Sequence, residues 1–123
     1  MPQRPLDEAR EDRIAMKIIV DAYEPEEQAL GWYYYLENNV SVPFRAKCSD
    51  ERVISPLRVD DEVEVVGMAP EDECEHEMFV MTRWEQRDLA VPLAQLAGID
   101  IDDESRQALD DWSYWVERGH GLS

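Results

Sequence analysis

The stretch Glu62-Val63-Glu64-Val65-Val66-Gly67-Met68-Ala69-Pro70-Glu71-Asp72-Glu73-Cys74-Glu75-His76-Glu77-Met78-Phe79-Val80-Met81-Thr82-Arg83-Trp84 governs how the whole chain reads. At its start, Val63 and Val65 alternate with Glu62 and Glu64, the two-residue period of a half-buried strand. At its end, residues 77–84 form a second β-prone run. Between them lies a loop from Met68 to His76, opened by Pro70 and crowded with acids.

Upstream, Val42, Phe44, Ala46 and Cys48 alternate with Pro43, Arg45 and Lys47, which predicts another strand, followed by the polar loop Ser49-Asp50-Glu51-Arg52. Downstream, Glu85-Gln86-Arg87-Asp88 turns the chain into Leu89-Ala90-Val91-Pro92-Leu93. Short strands separated by turn signals predict a small antiparallel β-barrel, partly open and of the Src-homology-3 type, spanning 42–97.

Helical patterns flank this region. Ile14, Ile18 and Ile19 share a face over Asp7–Ala22, with Asp7 as cap and Glu8 and Glu11 in the first turn, where the helix dipole favours acids. A second helix starts at Glu24-Pro25-Glu26-Glu27, with Pro25 suited to the first position. It continues through Ala29, Leu30, Tyr33, Tyr34 and Leu36, and Asn38-Asn39 close it. Gly31 inside it weakens the helix and admits a close neighbour. A last helix over 102–118 is capped by Asp102 or Asp103 and carries the stripe Ala108, Leu109, Trp112, Trp115 and Val116, with Gly119 as C-terminal cap. The expected class is α+β: two N-terminal helices (7–38), the barrel, and a C-terminal helix. The chain reads as a single domain, 1–123, with residues 1–6 as a disordered tail.

The charge balance excludes several functions. Twelve Lys and Arg against 29 Asp and Glu leave a formal net charge of −17, which repels phosphate backbones and anionic lipid. Neither nucleic acid nor membrane is therefore an expected partner, whereas cations and basic proteins are. Hydrophobic residues make up 44%, enough for a core, so the acidity does not imply disorder. The N-terminus has no apolar core of the signal-peptide kind, and no run approaches the ~20 apolar residues of a membrane span, so a cytoplasmic location is expected. Cys48 and Cys74 read as reduced thiols.

Four acidic groups are candidate cation sites, each with a plainer alternative. Glu71, Asp72, Glu73, Glu75 and Glu77 crowd one loop; like charges this close strain it, and a hard cation offsets the strain. Such an irregular oxygen-rich loop suits Ca²⁺ better than the stricter octahedron of Mg²⁺. The plainer alternative is a solvated loop. Glu37 and Asn38 stand where helix carbonyls are unpaired, a cation site or an ordinary cap. Asp60 and Asp61 are ligands or a charged turn. Asp100-Ile101-Asp102-Asp103-Glu104 resembles an EF-hand loop only superficially: Ser105 replaces the glycine and Asp111 the bidentate Glu, so capping explains these acids better. Zinc lacks a paired motif, with only Cys48, Cys74, His76 and His120 to draw on. No nucleophile elbow or phosphate loop is present, and acids around Cys74 oppose a thiolate, so no enzyme is expected. The aromatic clusters at 32–35 and 112–115 read as core.

Longer runs add a resemblance. Gly31-Trp32-Tyr33-Tyr34-Tyr35-Leu36-Glu37, Ile54-Ser55-Pro56-Leu57, Asp61-Glu62-Val63-Glu64-Val65, Gly67–Glu71, Cys74–Val80 with Trp84, Leu89–Leu93, and Asp111-Trp112 with Tyr114-Trp115 are similar to the cyanobacterial calcium-binding protein family. The resemblance covers about Ile18 to Gly119. It implies a non-EF-hand protein that binds and sequesters intracellular Ca²⁺ at an acidic surface pocket and takes part in calcium signalling. It also implies an Asp just after the Tyr-Leu-Glu run, where this chain carries Asn38, a neutral ligand. The candidate ligands are then Glu37, Asn38, Asp60, Asp61, Glu71, Asp72, Glu73 and Glu75, with calcium ions and a regulatory protein as partners. The alternative is an acidic interaction module that binds a basic partner.

Overall fold

A computed structural model describes residues 5–20 and 22–118. Helix α1 (Glu8–Arg13) begins where expected: the Asp7 carboxylate accepts from the Arg10 N–H at 3.0 Å. It does not continue to Ala22. Past Arg13 the backbone widens into a π turn over Ile14–Ile18, and the Ile19 N–H donates to the Ile14 carbonyl at 3.0 Å. The wide turn buries Ile14 and Ile18 and carries the Ile18 carbonyl against α2 (Pro25–Asn39). Contact falls on Gly31, where a Cβ would sit 2.2 Å from that oxygen. The glycine that weakens α2 locally is what lets the two segments touch.

Five strands follow: β1 (Phe44–Cys48), β2 (Glu62–Met68), β3 (Phe79–Trp84), β4 (Arg87–Pro92) and β5 (Leu96–Ile99). All pairings are antiparallel, in the order β4-β3-β2-β1-β5. Burial alternates strictly along β1, with Phe44, Ala46 and Cys48 inside. A bulge between Val65 and Gly67 kinks β2 against β3. Glu85 and Gln86 join β3 to β4 as a two-residue loop, both at positive φ.

The expected Src-homology-3-type barrel is not what forms. The sheet is open, ending on β4 and β5, and no pairing joins these edges among the described residues. The physical reason lies in the helices. A closed barrel seals its own interior, whereas here Val63, Val65, Val80 and Val91 share one core with Trp32 and Leu36 of α2 and with Trp112 and Trp115 of α3 (Asp103–Glu117). The indoles supply the second layer that closure would otherwise exclude. Trp32 stands edge-on to Trp112, with centroids 5.1 Å apart, and is wholly buried. Trp32, Tyr33, Trp112, Tyr114 and Trp115 of the aromatic clusters are core, whereas Tyr34 is exposed.

Asp111 orders the helices around that core. It is fully buried on α3, yet its carboxylate accepts from Arg10 Nη1 at 2.8 Å, Arg13 Nε at 2.9 Å, Arg13 Nη2 at 2.7 Å and the Tyr35 hydroxyl at 2.7 Å. A buried charge persists only when paired and hydrogen-bonded to this degree. Asp102 caps α3, accepting from the Ser105 N–H at 2.6 Å. Two acids of the false EF-hand pattern, Asp102 and Asp111, are thereby committed to structure. The expected cap at Gly119 and residues 1–4 of the expected tail lie outside the described residues.

Candidate calcium-binding cleft

Past β2, Pro70 breaks the strand and residues Glu71–Cys74 wind into one 3₁₀ turn. Cys74 anchors the turn: its sulfur is buried and meets the Phe79 backbone N–H at 3.4 Å. Burial pushes its thiol pKa up, and the charges of Glu73 and Asp72 push it further, so the sulfur stays protonated and turned inward. Glu71, Asp72, Glu73 and Glu75 are left exposed on the outside. Glu77, the remaining acid of the run, is taken by Arg52, whose Nη2 donates to Oε1 at 3.0 Å.

The turn packs against α2, and a cleft of about 440 Å³ opens between them. Glu71, Asp72 and Glu75 line one wall, and Glu26, Leu30 and Tyr33 the other. Two phenols tie the walls together. Tyr33 donates to the Ala69 carbonyl at 2.9 Å, and Tyr34 donates to Glu71 Oε2 at 2.9 Å. Both phenol pKa values are raised. For Tyr34 the hydrogen bond to Glu71 leads; for Tyr33 burial leads, followed by the charge of Glu37. Glu37 and Glu71 therefore act on the same two rings, although 34 residues separate them in the chain (71 − 37 = 34).

The other candidates fall elsewhere. Asn38 is exposed in the last turn of α2, not beyond it. Helix closure belongs to Asn39, whose Nδ2 donates to the Tyr35 carbonyl at 2.8 Å, with Val40 extended after it. Asp60 and Asp61 sit before β2, while Glu71–Glu75 follow it, so the length of that strand, roughly 20 Å at ~3.3 Å per residue, runs between the groups. Asp60 pairs with Lys47 at 3.8 Å, and Asp61 accepts from the Arg58 N–H at 2.9 Å. Glu26 was not among the sequence candidates. Its only sequence signal is its place in the first turn of α2, which reads as helix-dipole compensation.

The donor set fits calcium chemically. The cleft offers carboxylate and hydroxyl oxygens, its one sulfur faces inward, and His76 does not line it. Hard oxygen donors of this kind select Ca²⁺ over thiophilic metals. The carboxylates are not drawn together: no three Asp, Glu, His or Cys side chains among the described residues converge on one point.

An α+β scaffold with an oxygen-lined acidic cleft and no EF-hand loop defines a class of small acidic cation binders. The sequence profile of the CcbP family, described as calcium binding, matches residues 12–116, and the chain belongs to that family. The crystal structure of Anabaena CcbP superposes with a TM-score of 0.86 at 40% identity, covering 98% of each chain. A structure described as a calcium-binding protein in the calcium-binding form superposes with a TM-score of 0.83 at 40% identity, covering 93% of this chain and 94% of that one. A search of curated protein sequences finds no match. Membership makes this a non-EF-hand calcium-binding protein and not a catalyst. No helix among the described residues is long and apolar enough to cross a membrane.

Proposed function

We propose that the cleft between α2 and the acidic turn binds Ca²⁺ reversibly and that the protein thereby buffers the free ion in the cytoplasm, in the service of calcium signalling. The observation that carries this reading is the facing of Glu26 on one wall by Glu71, Asp72 and Glu75 on the other. The ion draws these spaced carboxylates inward, offsetting their mutual repulsion. Glu73 contributes from the outer side of the turn, and Glu37 and Asn38 from the end of α2. Asp60 and Asp61, at the far end of β2, are assigned no part in this cleft.

A partly solvated site that assembles around its ion is expected to bind in the ~10⁻⁷–10⁻⁵ M range of sensor sites. The test is calorimetric titration with Ca²⁺ and Mg²⁺ in ~0.15 M salt. Saturable calcium heat with a weaker magnesium response supports the reading. The variant with Glu71, Asp72, Glu73 and Glu75 all replaced by amides should keep its fold by circular dichroism and lose that heat. Unchanged binding would place the ion elsewhere. Localisation of a fluorescent fusion to the cell interior checks the cytoplasmic assignment.

A further inference from the structure

We propose that a second recess, between the C-terminal end of α2 and the sheet, docks a basic peptide segment that carries one large apolar side chain. The recess holds about 330 Å³, at the lower end of the ~300–1,000 Å³ typical of ligand pockets. That size admits a single anchor side chain, not a whole helix face. Leu36, Phe44, Met68 and Leu109 wall it, and Gly67 lies on its lining at the β2 bulge, where an added Cβ would meet no heavy atom within 4 Å.

Its mouth defines the occupant. Val42 is 47% exposed there, an apolar lip. Glu37 is the charged residue of the lining, exposed on the last turn of α2, where the helix dipole is also negative. An apolar interior with one carboxylate, Glu37, at its mouth complements a Leu or Phe flanked by Lys or Arg. A second copy of the chain is a poor occupant, because it brings another net charge of −17 to the same mouth. The recess shares no lining residue with the calcium cleft, and because Glu37 at its mouth is also a proposed calcium ligand, peptide binding is measured in calcium-free buffer.

The probe is a fluorescein-labelled twelve-residue peptide of Lys, Arg and Ala with one central Leu, followed by anisotropy in ~0.15 M salt. Its partner probe has Ala in place of that Leu. Saturable binding that weakens roughly tenfold or more with the Ala peptide supports the proposal. So does a severalfold loss with Glu37→Lys, and a loss with Gly67→Leu, whose side chain fills the recess; unchanged melting temperatures confirm that both variants fold. Equal binding of the Leu and Ala peptides would reduce the effect to non-specific charge attraction and overturn the proposal. Absence of saturable binding would also overturn it, as would sedimentation showing that a second copy of the chain already fills the recess. The peptide comparison leaves the protein unaltered, so misfolding of a variant cannot obscure it.

Discussion

The Tyr34 hydroxyl donates a 2.9 Å hydrogen bond to Oε2 of Glu71, joining the exposed face of α2 to the acidic turn. Sharing its proton with a carboxylate holds the phenol's pKa above the ordinary value. Tyr34 is therefore a built-in reporter of charge in the cleft. Calcium at Glu71 should lower the Tyr34 pKa towards that of a free phenol, and Glu71→Gln should lower it without calcium. Absorbance at the phenolate band during alkaline titration, compared with a Tyr34→Phe control, measures both. A Tyr34 titration unmoved by saturating calcium would separate the ion from Glu71.

Close approach at Gly31 supplies a stability test of opposite sign to helix propensity. In an isolated helix, Gly→Ala gains up to ~1 kcal/mol. Here the new Cβ would meet the Ile18 carbonyl oxygen at 2.2 Å, a backbone atom that cannot swing aside. Gly31→Ala should destabilise the protein by about 1–3 kcal/mol, the range for overpacking. Urea unfolding of the two forms decides it, and a more stable variant would show that the π turn yields freely.

The loop between β3 and β4 carries a correctable local cost. Glu85 and Gln86 adopt φ of 49° and 65°, the left-handed region that two-residue hairpin loops favour and that long side chains occupy at some expense. Replacing the pair by Asn-Gly should raise stability by about 1 kcal/mol or more without altering calcium binding, since the loop is remote from the cleft. Thermal melts with and without Ca²⁺ test both parts. A loss of stability would mean that Glu85 or Gln86 contributes an offsetting contact.

Alkaline stability should depend on Tyr35. Burial, and then its hydrogen bond to Asp111, raise its pKa to about 12. The folded state thus holds this proton more tightly than the unfolded chain, whose phenols titrate near ~10. The contribution is complete below about pH 10 and is lost as pH climbs towards about 12. Melting temperature should fall through that window and fall less in Tyr35→Phe. Asp111→Asn should be harsher at every pH. Removing the carboxylate shared by Arg10 and Arg13 breaks a buried pair, which typically costs about 3–5 kcal/mol. A variant as stable as the parent would show that water replaces the lost charge.

Much of the secondary structure was legible because its signals are local. Asp7 and Asp102 cap the helices they precede, the alternation at 44–48 and 62–66 became strands, and Pro25 opens α2. The π turn was not legible, because Ile14 to Ile18 carry an ordinary helical pattern and the widening answers a neighbour 13 residues on (31 − 18 = 13). Strand β5 escaped notice because four residues, Leu96–Ile99, are too few to show a period, and only pairing with β1 extends them. The barrel was a misreading of the same kind: strand spacing does not record whether the strands curl around a common interior or lie in an open sheet under helices.

In the candidate cleft, the acids at 71–75 stood out by density alone. Glu26 did not, since an acid in a first helical turn already has a local explanation. Asp111 left one overlooked trace, a charge among the apolar positions of α3. Composition and short-range pattern by themselves determined that this chain is acidic, builds helices around short antiparallel strands, and concentrates carboxylates after β2. Which acids share a cleft, which are consumed by arginines, and whether the sheet closes were decided only in three dimensions. Those outcomes depend on packing between residues far apart in the chain, and side-chain spacing along one segment carries no record of the partner it meets.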